Sequence, residues 1–305
     1  MVVSGASGLV GGALVAALEV AGVRVVRLVR RRPAPGGSDV GWDPASGTID
    51  ARGLEGADAV VHLAGESIAA GRWTPARKDA IRRSRVDGTR LLAETLARLS
   101  RPPGVLVSAS AVGYYGSRGD EALTEASAPG TGFLADVCRA WEAAAQPARD
   151  AGIRVVTPRI GMVLAARGGA LARMLPPFRL GLGGVVGSGR QYMSWIALDD
   201  LVGAIRHVIG ADDVAGAVNA VAPLPVTNRE FTRTLGRVLG RPTLAPLPAP
   251  VVRLLFGEMG QALLLDGARA LPARLQAAGF QFRHPDLETA LRNALGRHPQ
   301  GLLKT

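Results

Sequence analysis

Apolar and polar positions in the first 160 residues switch between two periods. Short apolar runs of strand length alternate with longer stretches of helical spacing. Residues 1–4 predict a strand, and residues 9–21 an apolar helix stopped by Gly22, a residue suited to the turn that ends a helix. Residues 23–29 predict the second strand. Residues 58–63, reading Asp-Ala-Val-Val-His-Leu, predict the third. A helix with its charges on one face is predicted over 75–99, a strand over 104–108, a helix over 132–151 and a strand over 153–157. Strands alternating with helices imply an α/β fold, a doubly wound parallel sheet with helices on both faces. Such sheets bind ligands at the carboxyl ends of their strands.

The pattern loosens after Arg159. Residues 165–192 are rich in glycine and are predicted as an irregular excursion on the substrate side. A helix is predicted over 199–209 and a strand over 218–221. Another helix is predicted over 227–239, with Thr227 as N-cap and Glu230 three residues on, the pattern of a capping box. Residues 241–250 form a proline-rich connection, and a short helical tail runs to 298. The expected organisation is a nucleotide-binding core over 1–240 and a small, mostly helical C-terminal substrate lobe over 241–305.

Composition narrows the class. The 305 residues are 48% hydrophobic and 20% charged, enough for a sizeable core and unlike a disordered chain. No apolar run reaches the roughly 18 residues of a membrane span. The start of the chain reads as a strand entering a glycine turn, not as a leader. Cys138 is the single cysteine, so no intrachain disulfide forms, and a cytoplasmic location is expected. The net charge of +11 raises the question of nucleic acid. The arginines are dispersed apart from Arg30-Arg31-Arg32, and aromatics are only 4%, too few for base stacking. No nucleic-acid and no membrane partner is expected. No His, Cys and carboxylate cluster has metal-ligand spacing, so no metal is expected either.

The first strand runs into Gly5-Ala6-Ser7-Gly8-Leu9-Val10-Gly11, a G-x-x-G-x-x-G loop opening an apolar helix. Glycines there permit a tight turn and close approach of the backbone to a pyrophosphate, and the helix offers free N–H groups with the positive end of its dipole. In this context the loop marks a Rossmann dinucleotide site. An NAD site places an Asp or Glu at the end of the second strand to bind the ribose 2′-hydroxyl. Here the strand ends in Val29-Arg30-Arg31-Arg32, with no carboxylate before Asp39. Arg30 and Arg31 suit a 2′-phosphate, so the expected cofactor is NADP(H).

Further stretches carry a family resemblance. They are Leu63-Ala64-Gly65-Glu66, Ser84-Arg85-Val86-Asp87-Gly88-Thr89, Ser108-Ala109-Ser110-Ala111-Val112-Gly113-Tyr114-Tyr115-Gly116 and the run from Phe133 to Glu142. Arg159-Ile160-Gly161-Met162, the segment from Gly187 to Ile196, Asn219 to Pro225 and Leu271 to Phe280 extend it over nearly the whole chain. With these the sequence resembles the extended short-chain dehydrogenase/reductases, and within them the YfcH-like epimerase family. The resemblance implies cofactor contacts from Leu63, Ala64, Gly65, Glu66, Arg85 and Ser108, and from Arg159, Gly161 and Met162 beside the nicotinamide. It implies substrate contacts from Arg190, Gln191 and Trp195, on a small molecule of unknown identity, and is compatible with a homodimer.

The class normally works through a Tyr and a Lys four residues later, the cation bringing the phenol toward its working pH. This chain lacks the pair. Aligned through Glu142, Leu134 stands at the Tyr position and Cys138 at the Lys position, while Arg85 takes the place of a supporting Asn. Ser110 keeps its identity, and Tyr115 is the candidate substitute proton donor, so Ser110 and Tyr115 are the expected catalytic residues. His62 reads as a structural histidine, Cys138 as a buried thiol and Lys78 as solvated. Two functions stay open: an NADP(H)-dependent epimerase or oxidoreductase acting on a carbonyl or hydroxyl substrate, and an NADP(H)-binding sensor with little or no turnover.

Overall fold

The computed structural model describes residues 1–30, 34 and 37–297. Arg31 lies outside the described residues. The first βαβ unit is β1 (Val2–Ser4), α1 (Leu9–Val20) and β2 (Val26–Val29). A hairpin follows, β3 (Val40–Asp43) and β4 (Thr48–Ile49), then β5 (Ala59–His62), α2 (Pro75–Ala97), β6 (Val105–Ser108) and the short β7 (Ser110–Ala111). Beyond β8 (Ala122–Leu123) come α3 (Phe133–Ala143), α4 (Gln146–Asp150) and β9 (Arg154–Ile160). The main sheet runs β13-β9-β6-β5-β1-β2-β3-β4, where β13 is Gly216–Ala220. All its pairings are parallel except β3 with β4, and β7 pairs β9 off this path. The order reverses at β1, so β1 and β5 meet where a doubly wound sheet opens for a ligand.

Alternation along the strands divides the core. Val3, Val61 and Val107 face α1 and a later helix, whereas Val2, Val60 and Leu106 face α2. Successive strand side chains point to opposite faces, so each strand buries both of its sides. The hairpin was not expected from the pattern. Val40 and Trp42 bury one side of β3, and the Asp43 carboxylate closes the turn by accepting from the Ala45 N–H at 3.0 Å and the Ser46 hydroxyl at 2.9 Å.

The helix predicted over 132–151 is two helices. Pro147 has no N–H to donate and its ring crowds the preceding turn, so the chain breaks after α3 and restarts at α4. The excursion over 165–192 holds α5 (Gly169–Arg179), which the two internal prolines and the glycines before it concealed. Leu171, Leu175 and Phe178 recur at helical spacing and bury one stripe.

The chain continues through β10 (Met162–Leu164), β11 (Tyr192–Met193), β12 (Trp195–Ala197), α6 (Leu198–Gly210), β14 (Val226–Thr227) and α7 (Asn228–Leu239). Thr227 caps α7 as predicted, its hydroxyl accepting from the Glu230 N–H at 3.3 Å. The C-terminal stretch forms α8 (Ala249–Gly260), β15 (Arg269–Ala270), α9 (Ala273–Ala277) and α10 (Leu287–Ala294). Leu287, Ala290 and Leu291 of α10 share one apolar cluster with Phe231 and Leu235 of α7 and with Trp195. Among the described residues no helix is long and apolar enough to cross a membrane.

Candidate functional site

The glycine loop has the geometry that its spacing predicted. Gly5 has φ +66°, and a methyl group there would lie 2.8 Å from the Leu63 carbonyl carbon, so the loop rests directly on the end of β5. A methyl group at Gly11 would lie 2.2 Å from the Gly5 carbonyl oxygen. Only glycine lets the first turn of α1 pack this closely onto the loop. Gly8 is the N-cap and offers no side-chain cap, and no acidic residue stands in the first turn. The positive end of the helix, flanked by Ala6, Ser7, Leu9 and Val10, is therefore left for an external anion. Leu9 lies against the start of α5, where a methyl group on Gly169 would stand 3.1 Å from its Cδ2.

At the adjoining strand end, Ser4 organises the rim. Its hydroxyl accepts from the N–H groups of Leu63 (3.1 Å) and Ala64 (3.4 Å), and shares a hydrogen bond with Nδ1 of His62 at 2.6 Å. His62 is fully buried, and burial pushes its imidazole down to about 4. The ring is neutral and set edge-on to Trp42 at 5.6 Å, and its buried Nε2 has no hydrogen-bond partner among the described residues. His62 is structural, as expected. Arg30, exposed at the end of β2, meets the need for a cation where an NAD site needs a carboxylate. Asp43, at the end of the neighbouring β3, is committed to its own turn, and its Ser46 hydrogen bond lowers its pKa. These features fit a dinucleotide bearing a 2′-phosphate.

Arg85 projects from α2 toward Gly65, where a methyl group would lie 3.4 Å from its Cζ. It donates once, to the Ile81 carbonyl at 3.2 Å, and lies 5.1 Å from the Trp141 ring. Burial lowers its pKa, and the nearby Glu66 charge works against that shift. Glu66 receives a 3.5 Å contact from Arg77, and its N–H is held by Ser84. Arg85 and Glu66 thus flank the loop after β5.

The seat of the usual catalytic pair is filled differently. Leu134, Cys138 and Glu142 recur every four residues on α3. A methyl group on Gly113 would lie 3.3 Å from Leu134 Cβ and 3.8 Å from Cys138 Sγ, so this loop packs on the seat. Cys138 is buried. Burial first, then the Glu142 charge, push its thiol up to about 11. It stays neutral and takes no part in proton transfer at neutral pH.

Glu142 is the hub of a buried network that sequence reasoning did not assign. It accepts from Ser110 Oγ at 2.7 Å and from Arg159 Nε and Nη2 at 2.8 and 2.9 Å. Arg159 Nη1 donates to the Tyr115 hydroxyl at 3.0 Å, and that hydroxyl lies 2.7 Å from Asn219 Oδ1. The Tyr114 ring lies under the guanidinium at 3.4 Å. Two expectations are corrected here. Tyr115 has no exposed surface, and burial raises its pKa, so it is a structural tie and offers no substrate a proton. Arg159 is 4% exposed, with all three guanidinium nitrogens engaged, so its guanidinium is spent within the protein and is not free for a ligand. Burial opposes its charge, but the hydrogen bonds and charge of Glu142, with Tyr115, overcome this and raise its pKa. Ser110 is buried as well, its hydroxyl turned to Glu142.

The substrate segment also differs from expectation. Trp195 is fully buried, with Nε1 on the Leu224 carbonyl at 3.1 Å, so it is core. Gln191 spends its amide on the carbonyls of Val186 (3.0 Å) and Leu264 (2.8 Å), tying the excursion to the C-terminal stretch. Arg190 alone of the three is exposed. Ser108 is enclosed, its hydroxyl without a partner among the described residues, and lies beneath the site. Gly161 and Met162 are half-buried, and their N–H groups go to Ala220 and Ser194. Lys78 is not merely solvated: its Nζ pairs with Glu258 of α8 at 2.7 Å. Glu142 and Asn219 both lie inside motifs quoted from the sequence. Their signal was a carboxylate at helical spacing from the missing pair and a polar residue in an apolar strand.

Sheet order, glycine loop and strand-end rim define a dinucleotide-binding protein of the extended short-chain dehydrogenase/reductase class. The chain belongs to the NAD dependent epimerase/dehydratase family, which matches residues 1–220, and residues 247–294 match a domain of unknown function, DUF1731. It is 47% identical over 295 residues to the epimerase family protein Mb2239 of Mycobacterium bovis, covering 97% of each chain. It is 40% identical to the human epimerase family protein SDR39U1, covering 96% of this chain and 98% of the human one. A crystal structure of human SDR39U1 (isoform 2) with NADPH superposes with a TM-score of 0.89 over 97% of this chain and 99% of that one, at 37% identity. A nucleoside-diphosphate sugar epimerase from Corynebacterium glutamicum gives 0.79 at 40% identity, covering 97% of this chain and 57% of that one.

Proposed function

We propose that this protein binds NADP(H) and has kept the cofactor site of its family without the phenol and ammonium proton relay. Binding is supported by the glycine loop, the bare N-terminus of α1 and Arg30, and by the NADPH in the human relative. The observation that carries the second half is the closed chain Ser110, Glu142, Arg159, Tyr115, Asn219. It consumes the hydroxyls and the cation that a reductase would aim at its substrate. Leu134 has no proton to give, and Cys138 holds its proton too tightly. Binding with slow or absent turnover follows, and the cofactor's redox or occupancy state becomes what the protein reports.

A second reading rests on Arg85. It has one acceptor among the described residues, and its remaining N–H groups lie beside Gly65 at the strand end. A fixed guanidinium there suits a carbonyl or hydroxyl oxygen that gains negative charge, with the proton taken from water.

The test is a fluorescence titration with NADPH and NADH, followed by a panel of carbonyl compounds added to the NADPH complex. NADPH preference without oxidation supports the first reading. Oxidation abolished by Arg85→Met supports the second. NADH preference, or no binding of either, overturns the cofactor reading.

A further inference from the structure

Two segments of this chain contain no Asp or Glu, residues 151–198 and 231–257. The fold lays them side by side: Leu182 bridges Thr243 in antiparallel fashion, and Val186 bridges Leu247. Where they meet, Leu180, Leu182 and Leu244 are 75%, 63% and 84% exposed. A methyl group on Gly181 would lie 3.6 Å from the Pro242 ring, so the two segments are in contact where these three leucines are exposed.

Beside Pro242 and Thr243 runs the outer face of α7. Its buried residues include Phe231, Leu235, Val238 and Leu239, so its solvent side carries Arg229, Arg233 and Arg237 at four-residue spacing, continued by Arg241, with the exposed carboxylate of Glu230 among them. A concavity of about 560 Å³ is lined by Arg233, Arg237, Arg241, Pro242 and Thr243 with two glycines. Arg237 pairs with Glu288, but among the described residues Arg233 and Arg241 have no ion pair. The arginines that are dispersed in sequence are gathered here by helical periodicity.

We propose that this face docks on the surface of an anionic phospholipid bilayer. Leucine side chains insert among the upper acyl chains, and the arginine concavity takes headgroup phosphates. Exposed leucines beside a row of four arginines, which outnumber the neighbouring carboxylates Glu230 and Glu288, are complementary to that surface and poorly matched to a neutral or basic partner. Contact in the plane of the interface needs no spanning segment, so the lack of one does not oppose it. The face is separate from the glycine loop, and the proposal does not rest on the cofactor reading.

The experiment is flotation of the full chain with phosphatidylcholine vesicles, with and without phosphatidylglycerol. Binding only to the anionic vesicles, weakened by added salt, is expected. Leu182→Ser with Leu244→Ser is expected to weaken it at least tenfold, given the apolar area withdrawn. Arg233→Gln with Arg241→Gln is expected to weaken it about 25-fold, at about fivefold per arginine. Far-UV circular dichroism and cooperative urea unfolding report whether each variant is folded, and the arginine pair, which alters charge on an exposed face, decides if the leucine pair is not. No flotation of the intact chain, or equal flotation of folded variants, overturns the proposal. So does a leucine variant that changes only the sedimentation of the chain in solution, which marks a self-association face.

Discussion

Glu142 and Arg159 meet in a two-point ion pair, at 2.8 and 2.9 Å, one helical turn beyond Cys138. The pair ties α3 to β9. The guanidinium is 4% exposed and the carboxylate 14%, so neither is well solvated. Removing one partner leaves the other buried and uncompensated, which costs about 3–5 kcal/mol. Glu142→Gln is therefore expected to lower unfolding stability by about that amount in a urea titration. Replacing both by apolar residues, Glu142→Leu with Arg159→Met, is expected to cost less than the two single changes summed. A loss below about 1 kcal/mol for Glu142→Gln is what a solvated surface pair gives, and contradicts this account.

Tyr115→Phe separates structure from chemistry at the same network. Losing the hydroxyl leaves Asn219 Oδ1 and Arg159 Nη1 each short of a partner, at a cost of about 1–3 kcal/mol. NADPH affinity is expected to hold, and so is any turnover. Loss of turnover with unchanged stability is the opposite pattern and restores Tyr115 as a proton donor.

The outline of this site was legible because backbone constraints leave a sequence trace. Gly5, Gly8 and Gly11 announce close approach, and Arg30 announces itself by the acid it replaces. The missing pair was legible too, because Leu134 and Cys138 cannot do what Tyr and Lys do. What the sequence did not reveal is where side chains point once the network closes. Tyr115 follows a strand on the ligand side, which suggested access, but its hydroxyl turns inward to Asn219, 104 residues away. Trp195 and Gln191 lie in a motif of the substrate segment, yet long-range partners, the Leu224 and Leu264 carbonyls, hold them inside. The β3–β4 hairpin was missed because its strands are short and its turn is built by one carboxylate, Asp43. The helix α5 was missed because prolines masked an apolar stripe.

His62 gives the fold a pH dependence. Its pKa falls from the ordinary 6.5 to about 4 in the folded protein, through burial. Between those values the unfolded chain binds the proton and the folded chain does not. Stability is therefore full above about 6.5 and is lost as pH falls toward 4, by about 3 kcal/mol at most. The protonated ring can only donate to the Ser4 hydroxyl, which already accepts from the Leu63 and Ala64 N–H groups, so it competes with those two contacts. Urea midpoints at pH 7 and pH 5 are expected to differ in the parent protein and to converge in His62→Gln. Equal slopes in the two proteins assign the acid sensitivity elsewhere.

Gly11 and Arg30 separate holding a dinucleotide from choosing one. A methyl group at Gly11 collides with the Gly5 carbonyl oxygen at 2.2 Å, backbone against backbone, so the loop itself must shift. Gly11→Ala is expected to weaken NADPH and NADH alike, by tenfold or more, and to cost about 1–3 kcal/mol of stability through overpacking. Arg30 is exposed, and its replacement changes charge without touching the core. Arg30→Glu is expected to leave stability within about 0.5 kcal/mol of the parent. NADPH is expected to weaken by at least tenfold, as a charge-assisted phosphate contact becomes a repulsion, while NADH holds or improves through the ribose hydroxyl. Titrating both cofactors against both variants reads the distinction directly. Equal weakening of NADPH and NADH by Arg30→Glu removes Arg30 from the 2′-phosphate site.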